Sequence, residues 1–301
     1  MKTTPAIRSA AVVISLACVA ALVSGCGRPS PQRTVIQCKG SDTMVNVVQT
    51  WAEEYKKVEP AVDVEVSGGG SGQGIAALIR GTIDIANCSR NMKPEEIAQA
   101  TKNTGKVPRE WVVGFDALAV FVHKDNPIEE ITFDQLAGIF AEGGTTTRWS
   151  GLGVKLPGAS DDEIIRVSRQ SSSGTYEFFR EHVLGKRDFK LGSRDMNGSK
   201  EVVELVGSTP TSIGYSGMGY ATSSVKMLRV SSKAGEPAVA PTVENTLKMS
   251  YPISRSLLSY TLGEPEGAVR QFLDWVLSDA GQKLVESAGF VPVPPEGRKR
   301  P

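Results

Sequence analysis

Histidine is almost missing from this chain, with only His123 and His182 among 301 residues. Neither stands in HExxH spacing and no CxxC pair occurs, so no metal centre of the usual kinds is indicated. Without a metal or a Ser-His-Asp order, a secreted phosphatase or other phosphotransfer enzyme has no activated nucleophile to work with. A surplus of one charge is missing too, since 34 Lys and Arg face 33 Asp and Glu. A nucleic-acid partner would call for a basic excess. Any anion site must therefore be local, built from dipoles and one or two arginines. Long hydrophobic runs are scarce as well. The apolar stretch 9–23 falls short of the roughly 18 residues a spanning helix needs. No internal repeat of solenoid length occurs.

What the N-terminus does contain is a leader. Lys2 and Arg8 precede the apolar run, which ends in Leu22-Val23-Ser24-Gly25-Cys26. That order matches a secretory signal peptide over 1–25. A Cys placed after Val-Ser-Gly resembles a bacterial lipobox, in which Cys26 is lipidated and becomes the mature N-terminus. Residues 26–33 then read as a tether, and the expected location is lipid-anchored on the outer side of the cytoplasmic membrane. The remaining chain is long enough for two lobes with their own cores. Of the four cysteines, Cys38 and Cys88 stay with the folded part. In an oxidising compartment they either bridge or fill the core as two small apolar residues.

The rest alternates strand and helix, the pattern of an α/β architecture. A strand over 34–39 runs into Gly40-Ser41-Asp42-Thr43-Met44 and a helix marked by Val47, Val48, Trp51 and Tyr55. A second strand, 62–66, ends in Ser67-Gly68-Gly69-Gly70-Ser71-Gly72-Gln73-Gly74, with a helix expected from Ile75. A third strand, 83–88, delivers Ser89-Arg90-Asn91-Met92 before a helix opened by Lys93-Pro94-Glu95. Three strands thus present polar turns at their carboxyl ends, the edge where open α/β sheets bind ligands.

The long apolar run 111–122 suits a crossing between lobes, and 250–260 suits a return. Beyond the first crossing, strand 163–168 leads into Arg169-Gln170-Ser171-Ser172-Ser173-Gly174-Thr175 and a helix start. Helix starts leave N–H groups unpaired beside partial positive charge, and the hydroxyls add donors at no net charge. Arg169 supplies a planar fork able to hold two oxygens of a tetrahedral oxyanion. The tail 292–301, rich in proline and charge, is expected to fray.

With these residues assembled, the chain from Thr34 to about Val293 resembles the phosphate-binding proteins of phosphate ABC importers, the PstS family. The likeness rests on Gly40-Ser41-Asp42-Thr43-Met44, Gly70-Ser71-Gly72-Gln73-Gly74-Ile75, Asp84-Ile85-Ala86-Asn87-Cys88-Ser89-Arg90, Arg169 with Ser173-Gly174-Thr175, Ile213-Gly214-Tyr215 and Tyr251-Pro252-Ile253-Ser254-Arg255. The resemblance implies a type II, two-lobe Venus-flytrap of the periplasmic-binding-protein fold, with a discontinuous first lobe and two crossing segments. Lobe I would take 34–117 and 252–301, and lobe II 118–251.

It also implies a monomer that closes on inorganic phosphate, needs no cofactor and hands its cargo to permease subunits. Ser41, Asp42, Thr43, Met44, Ser71, Ser89, Arg90, Arg169, Ser173, Gly174 and Thr175 are the phosphate-binding candidates, with Met44 standing where the family often has an aromatic. One departure concerns the third loop, where some members place an Asp that accepts the phosphate proton and this chain has Ser89-Arg90. Asp42 either supplies that acceptor or caps the first helix. Arg90 either reaches the anion or pairs with a carboxylate, and Arg255 is expected to order the hinge. Other readings are a receptor for sulfate or molybdate and a phosphate-sensing lipoprotein without a transport role.

Overall fold

The computed structural model describes residues 33–158 and 160–298. The leader 1–25, the lipidation candidate Cys26 and the tether through residue 32 lie outside the described residues. Strands β1 (Thr34–Gly40), β2 (Val62–Ser67) and β3 (Ile85–Cys88) are parallel, in the spatial order β2-β1-β3. Helices α1 (Val45–Val58), α2 (Ser71–Ile79) and α3 (Pro94–Thr104) follow them in turn.

Strand β4 (Pro108–His123) is 16 residues long and apolar along most of its length, so it can serve two cores in succession. The segments β5 (Glu130–Thr132), α4 (Phe133–Phe140), β6 (Ile165–Arg169), α5 (Gly174–His182), β7 (Arg194–Met196), α6 (Ser199–Ser208), β8 (Ser212–Gly217), β9 (Val225–Met227), β10 (Arg229–Ser231) and α7 (Val243–Leu247) come next. Then β11 (Ser254–Leu262) returns, and α8 (Gly267–Val276) and α9 (Asp279–Ser287) close the chain. The first part of β4 pairs antiparallel with β11 from Pro108 to Ala117. Its second part pairs with β8 from Leu118 to Val122 and with β9 from Phe121 to His123. One strand therefore belongs to both halves of the sheet, whose order is β2-β1-β3-β11-β4-β8-β6-β7.

The apolar cores divide at the same place. Ile36, Val47, Trp51, Ile85, Trp111, Val113, Phe272 and Val285 belong to one core, and Ile75, Leu78, Cys88 and Leu258 to its neighbour across the sheet. Leu118, Val120, Phe140, Trp149, Phe179, Tyr215 and Ile253 fill another, with Ala119, Phe121, Val167 and Val202 behind them. Two lobes, each an α/β layer system with its own core, are joined through β4 and β11.

Local chemistry explains several element ends. Thr132 opens α4 as a capping box: its hydroxyl accepts from the Gln135 N–H at 3.1 Å, and the Gln135 side chain accepts from the Thr132 N–H at 2.9 Å. Helix α2 starts at Ser71, four residues before the apolar run that marks it in the sequence. The tail to Arg298 is packed and not frayed. The Val293 N–H donates to the Gln282 side chain at 2.7 Å, and Arg298 bonds the Val293 carbonyl at 2.8 Å.

Cys38 and Cys88 are both free and buried, which settles the choice against a bridge. Alternation along the strands puts them on opposite faces of the sheet, Cys38 beside Ile36 and Ile85, Cys88 beside Ile75 and Leu78. Burial pushes both thiols well above their ordinary pKa. Among the described residues, no helix is long and apolar enough to cross a membrane.

Candidate anion-binding site

Four helix N-termini meet between the lobes: α1 after Ser41–Met44, α2 at Ser71, α5 at Gly174 and α6 at Ser199. The starts of α1, α2 and α6 carry no side-chain cap, so their dipole ends are open to another partner. Glycine makes one of these approaches feasible. Gly70 has φ +95°, and a Cβ there would lie 2.4 Å from the Ser172 carbonyl oxygen of the other lobe.

The hydroxyls brought together are all buried: Ser41, Thr43, Ser71, Ser89, Ser173, Thr175 and Ser199. Thr43 Oγ1 lies 2.9 Å from Thr175 Oγ1 and 3.3 Å from Ser199 Oγ, joining lobe I to lobe II. Ser41 Oγ donates to Ser89 Oγ at 3.0 Å, and Ser71 Oγ sits 3.3 Å from Ser89 Oγ. A hydroxyl both donates and accepts, so each of these pairs can open to present a donor to an anion. The Ser173 hydroxyl caps α5, accepting from the Thr175 N–H at 3.1 Å, and keeps its own proton to donate.

Arg169, at the end of β6, is fully buried. Its Nη1 donates to Ser199 Oγ at 3.0 Å and its Nη2 to the Asn197 carbonyl at 2.9 Å. Its Nε is buried and makes no hydrogen bond among the described residues. Burial lowers its pKa, with Asp42 opposing that effect. A buried cation with unspent donors beside four positive helix ends is a setting that favours an anion.

Asp42 is not a helix cap. Its Oδ1 accepts from the Gly69 N–H at 2.7 Å, tying the first loop to the second, while Oδ2 faces Arg169 Nη2 and Gln170 Nε2 at 3.4 Å each. Two candidates leave the site. The Met44 side chain is fully buried in the apolar core beside Val47, and its N–H donates to the Ser41 carbonyl at 3.0 Å. Arg90 turns away to Glu96, donating from Nη1 and Nη2 at 2.8 Å each, and also bonds the Asn91 carbonyl. Burial pushes the Glu96 carboxyl upward, but the hydrogen bonds from Arg90 and from the Lys93 N–H outweigh it and hold Glu96 below its ordinary range.

Two further polar residues join the site, Ser199 and Asp116. Ser199 carries the same signal as the other loops, a short strand, a Gly-Ser pair and a helix start, yet the apolar helical spacing in the sequence begins only at Val202. Asp116 is fully buried on β4 and accepts from Arg255 Nε at 3.0 Å and Nη2 at 2.7 Å. Burial raises its pKa, against the pull of Arg255 and of the Met218 N–H. Arg255 thus ties the crossing strands together, as expected, and its Nη1 also reaches Thr175 Oγ1 at 3.0 Å and the Ser89 carbonyl at 3.3 Å.

This geometry defines a binding protein of the two-lobe type II class, and residues 28–280 match the PBP superfamily domain. The chain belongs to the PstS-type family of phosphate substrate-binding proteins. It is 38% identical to the phosphate-binding protein PstS of Pseudomonas aeruginosa, across 85% of this chain and 82% of that one. It is 35% identical to protein SphX of Synechococcus elongatus, across 96% and 87%. The crystal structure of a putative phosphate ABC transporter substrate-binding protein with bound phosphate from Clostridium perfringens superposes with a TM-score of 0.75. That protein is 30% identical, over 87% of this chain and 100% of that chain.

Proposed function

We propose that this protein captures inorganic phosphate outside the cytoplasmic membrane and delivers it to an ABC phosphate importer. The observation that carries this reading is the convergence of helix N-termini from both lobes on the buried Arg169 guanidinium. Phosphate would be held by hydrogen bonds alone, from Ser41, Thr43, Ser71, Ser89, Ser173, Ser199, Gly174 and Thr175 with Arg169, and by Asp42 as the acceptor of its proton. No covalent step is involved, in keeping with a family of transporter binding proteins that are not enzymes.

In this reading Cys26 carries the lipid anchor, 34–117 with 252–301 form lobe I, 118–251 forms lobe II, and the protein works as a monomer. Closure about β4 and β11 would bring the two lobes onto the ligand. Calorimetric titration of phosphate into the compact body beginning at Thr34 tests it. We expect saturable one-to-one binding, and Arg169→Ala should weaken it by about 1.5–3 kcal/mol, the range for a hydrogen bond to a charged group. Equal or tighter binding of sulfate or molybdate would transfer the role to another oxyanion.

A further inference from the structure

Arg255 contacts one of the candidate phosphate ligands, and the direction of that contact is fixed by chemistry. A guanidinium has no lone pair to offer, so Nη1 donates to Thr175 Oγ1, 3.0 Å away. The hydroxyl's own proton must then point elsewhere, and Thr43 Oγ1 lies 2.9 Å away. We propose that Arg255 is a positioning residue that fixes the Thr175 hydroxyl as a donor toward the bound anion. This rests on the phosphate-capture reading above.

Three features suit Arg255 to the task. Both partners of its ion pair are almost wholly buried, at 1% and 0% side-chain exposure, so no water competes for the fork. Asp116 takes Nε and Nη2 and leaves Nη1 aimed at Thr175 and the Ser89 carbonyl. The guanidinium carbon also lies 5.7 Å from the centre of the Phe178 ring, on the helix whose first turn carries Thr175. The carboxylate cancels the guanidinium charge at 2.7 Å, so the pair exerts little net pull on an anion at long range. Its influence runs through the hydrogen bond. Without Arg255 the Thr175 hydroxyl can turn its proton to a neighbouring oxygen and meet the anion with a lone pair.

A double-mutant cycle reads this directly. Because replacing Arg255 alone leaves Asp116 buried and uncompensated, both change together as Asp116→Asn with Arg255→Gln. Phosphate affinity is measured by calorimetry for the wild type, this pair, Thr175→Val and the triple variant, with melting temperatures to report folding. The pair and Thr175→Val should each weaken phosphate binding by about tenfold or more, and the triple variant should be no weaker than Thr175→Val alone. A pair that binds like the wild type, or a triple variant that loses the product of the two factors, overturns the proposal.

Arg255→Lys covers the case of a pair that does not fold. Its donors all sit on one nitrogen where the guanidinium spreads them over three, so the fork that holds Asp116 and Thr175 together is lost, phosphate binding should weaken, and wild-type affinity overturns the role. A wild type that binds no phosphate would strike the functional reading instead.

Discussion

The choice between phosphate and sulfate comes down to one carboxylate. At neutral pH phosphate keeps an O–H to donate and sulfate has none, so an acceptor in the site helps the first and repels the second. Among the described residues around Arg169, Asp42 is the carboxylate within reach, its Oδ2 at 3.4 Å. The short bond from the Gly69 N–H at 2.7 Å holds Oδ1 in place and leaves Oδ2 with only long contacts. Asp42→Asn should therefore narrow the phosphate-over-sulfate ratio by about tenfold or more, the cost of a partly buried polar group losing its match. Competition calorimetry at neutral pH measures the ratio, and an unchanged value removes Asp42 from the selection. Arg90 offered the other charge at the third loop. Its pairing with Glu96 is only half legible, because the loop shows the arginine while the partner lies beyond it in the first turn of α3.

At the level of elements, the strand-turn-helix units were legible because each turn carries Gly and Ser between an apolar strand and an apolar helix face. The start of α2 was harder to read. Gly72 and Gly74 weaken helix propensity, yet packing selects them, since a Cβ on Gly74 would lie 2.5 Å from the Lys39 carbonyl oxygen. The Ser199 turn escaped notice because β7 is only 3 residues long, too short to display alternation. The contact between α5 and the lobe I loops yields a test. A Cβ on Gly174 would come within 2.3 Å of Ser71 Oγ and 2.7 Å of Ser89 Oγ, both across the cleft. Gly174 sits in helical backbone, where alanine is the better helix former, so lobe II by itself is not harmed. Gly174→Ala should leave the melting temperature of the phosphate-free protein unchanged or higher. It should also weaken phosphate binding by about 1–3 kcal/mol, the scale of overpacking a tight contact. Full affinity in calorimetry would mean that the lobes need not approach so closely.

Over the whole molecule, a binding constant includes every contact that forms only when the lobes close, whether or not it touches the ligand. Several such contacts are built in. The Gly72 N–H donates to the Ser172 carbonyl at 3.0 Å, Ser172 Oγ donates to the Gly69 carbonyl at 3.0 Å, and the Tyr220 hydroxyl donates to the Thr43 carbonyl at 2.9 Å. At the rim, Lys93 Nζ meets Glu177 Oε1 at 2.6 Å, linking the start of α3 to the first turn of α5. The lysine is about one-third exposed at 35%, so water screens the pair and its worth is that of a surface bridge, about 0–1 kcal/mol. Because the pair spans the cleft, that energy belongs to closure and not to the fold of either lobe. Lys93→Met and Glu177→Gln should each loosen phosphate binding by up to about fivefold. The double variant should lose no more than either single one, and the difference from wild type should shrink as salt shortens the Debye length. Calorimetry across a salt series reads all three expectations, and a loss that persists unchanged at high salt would assign the pair a packing role instead.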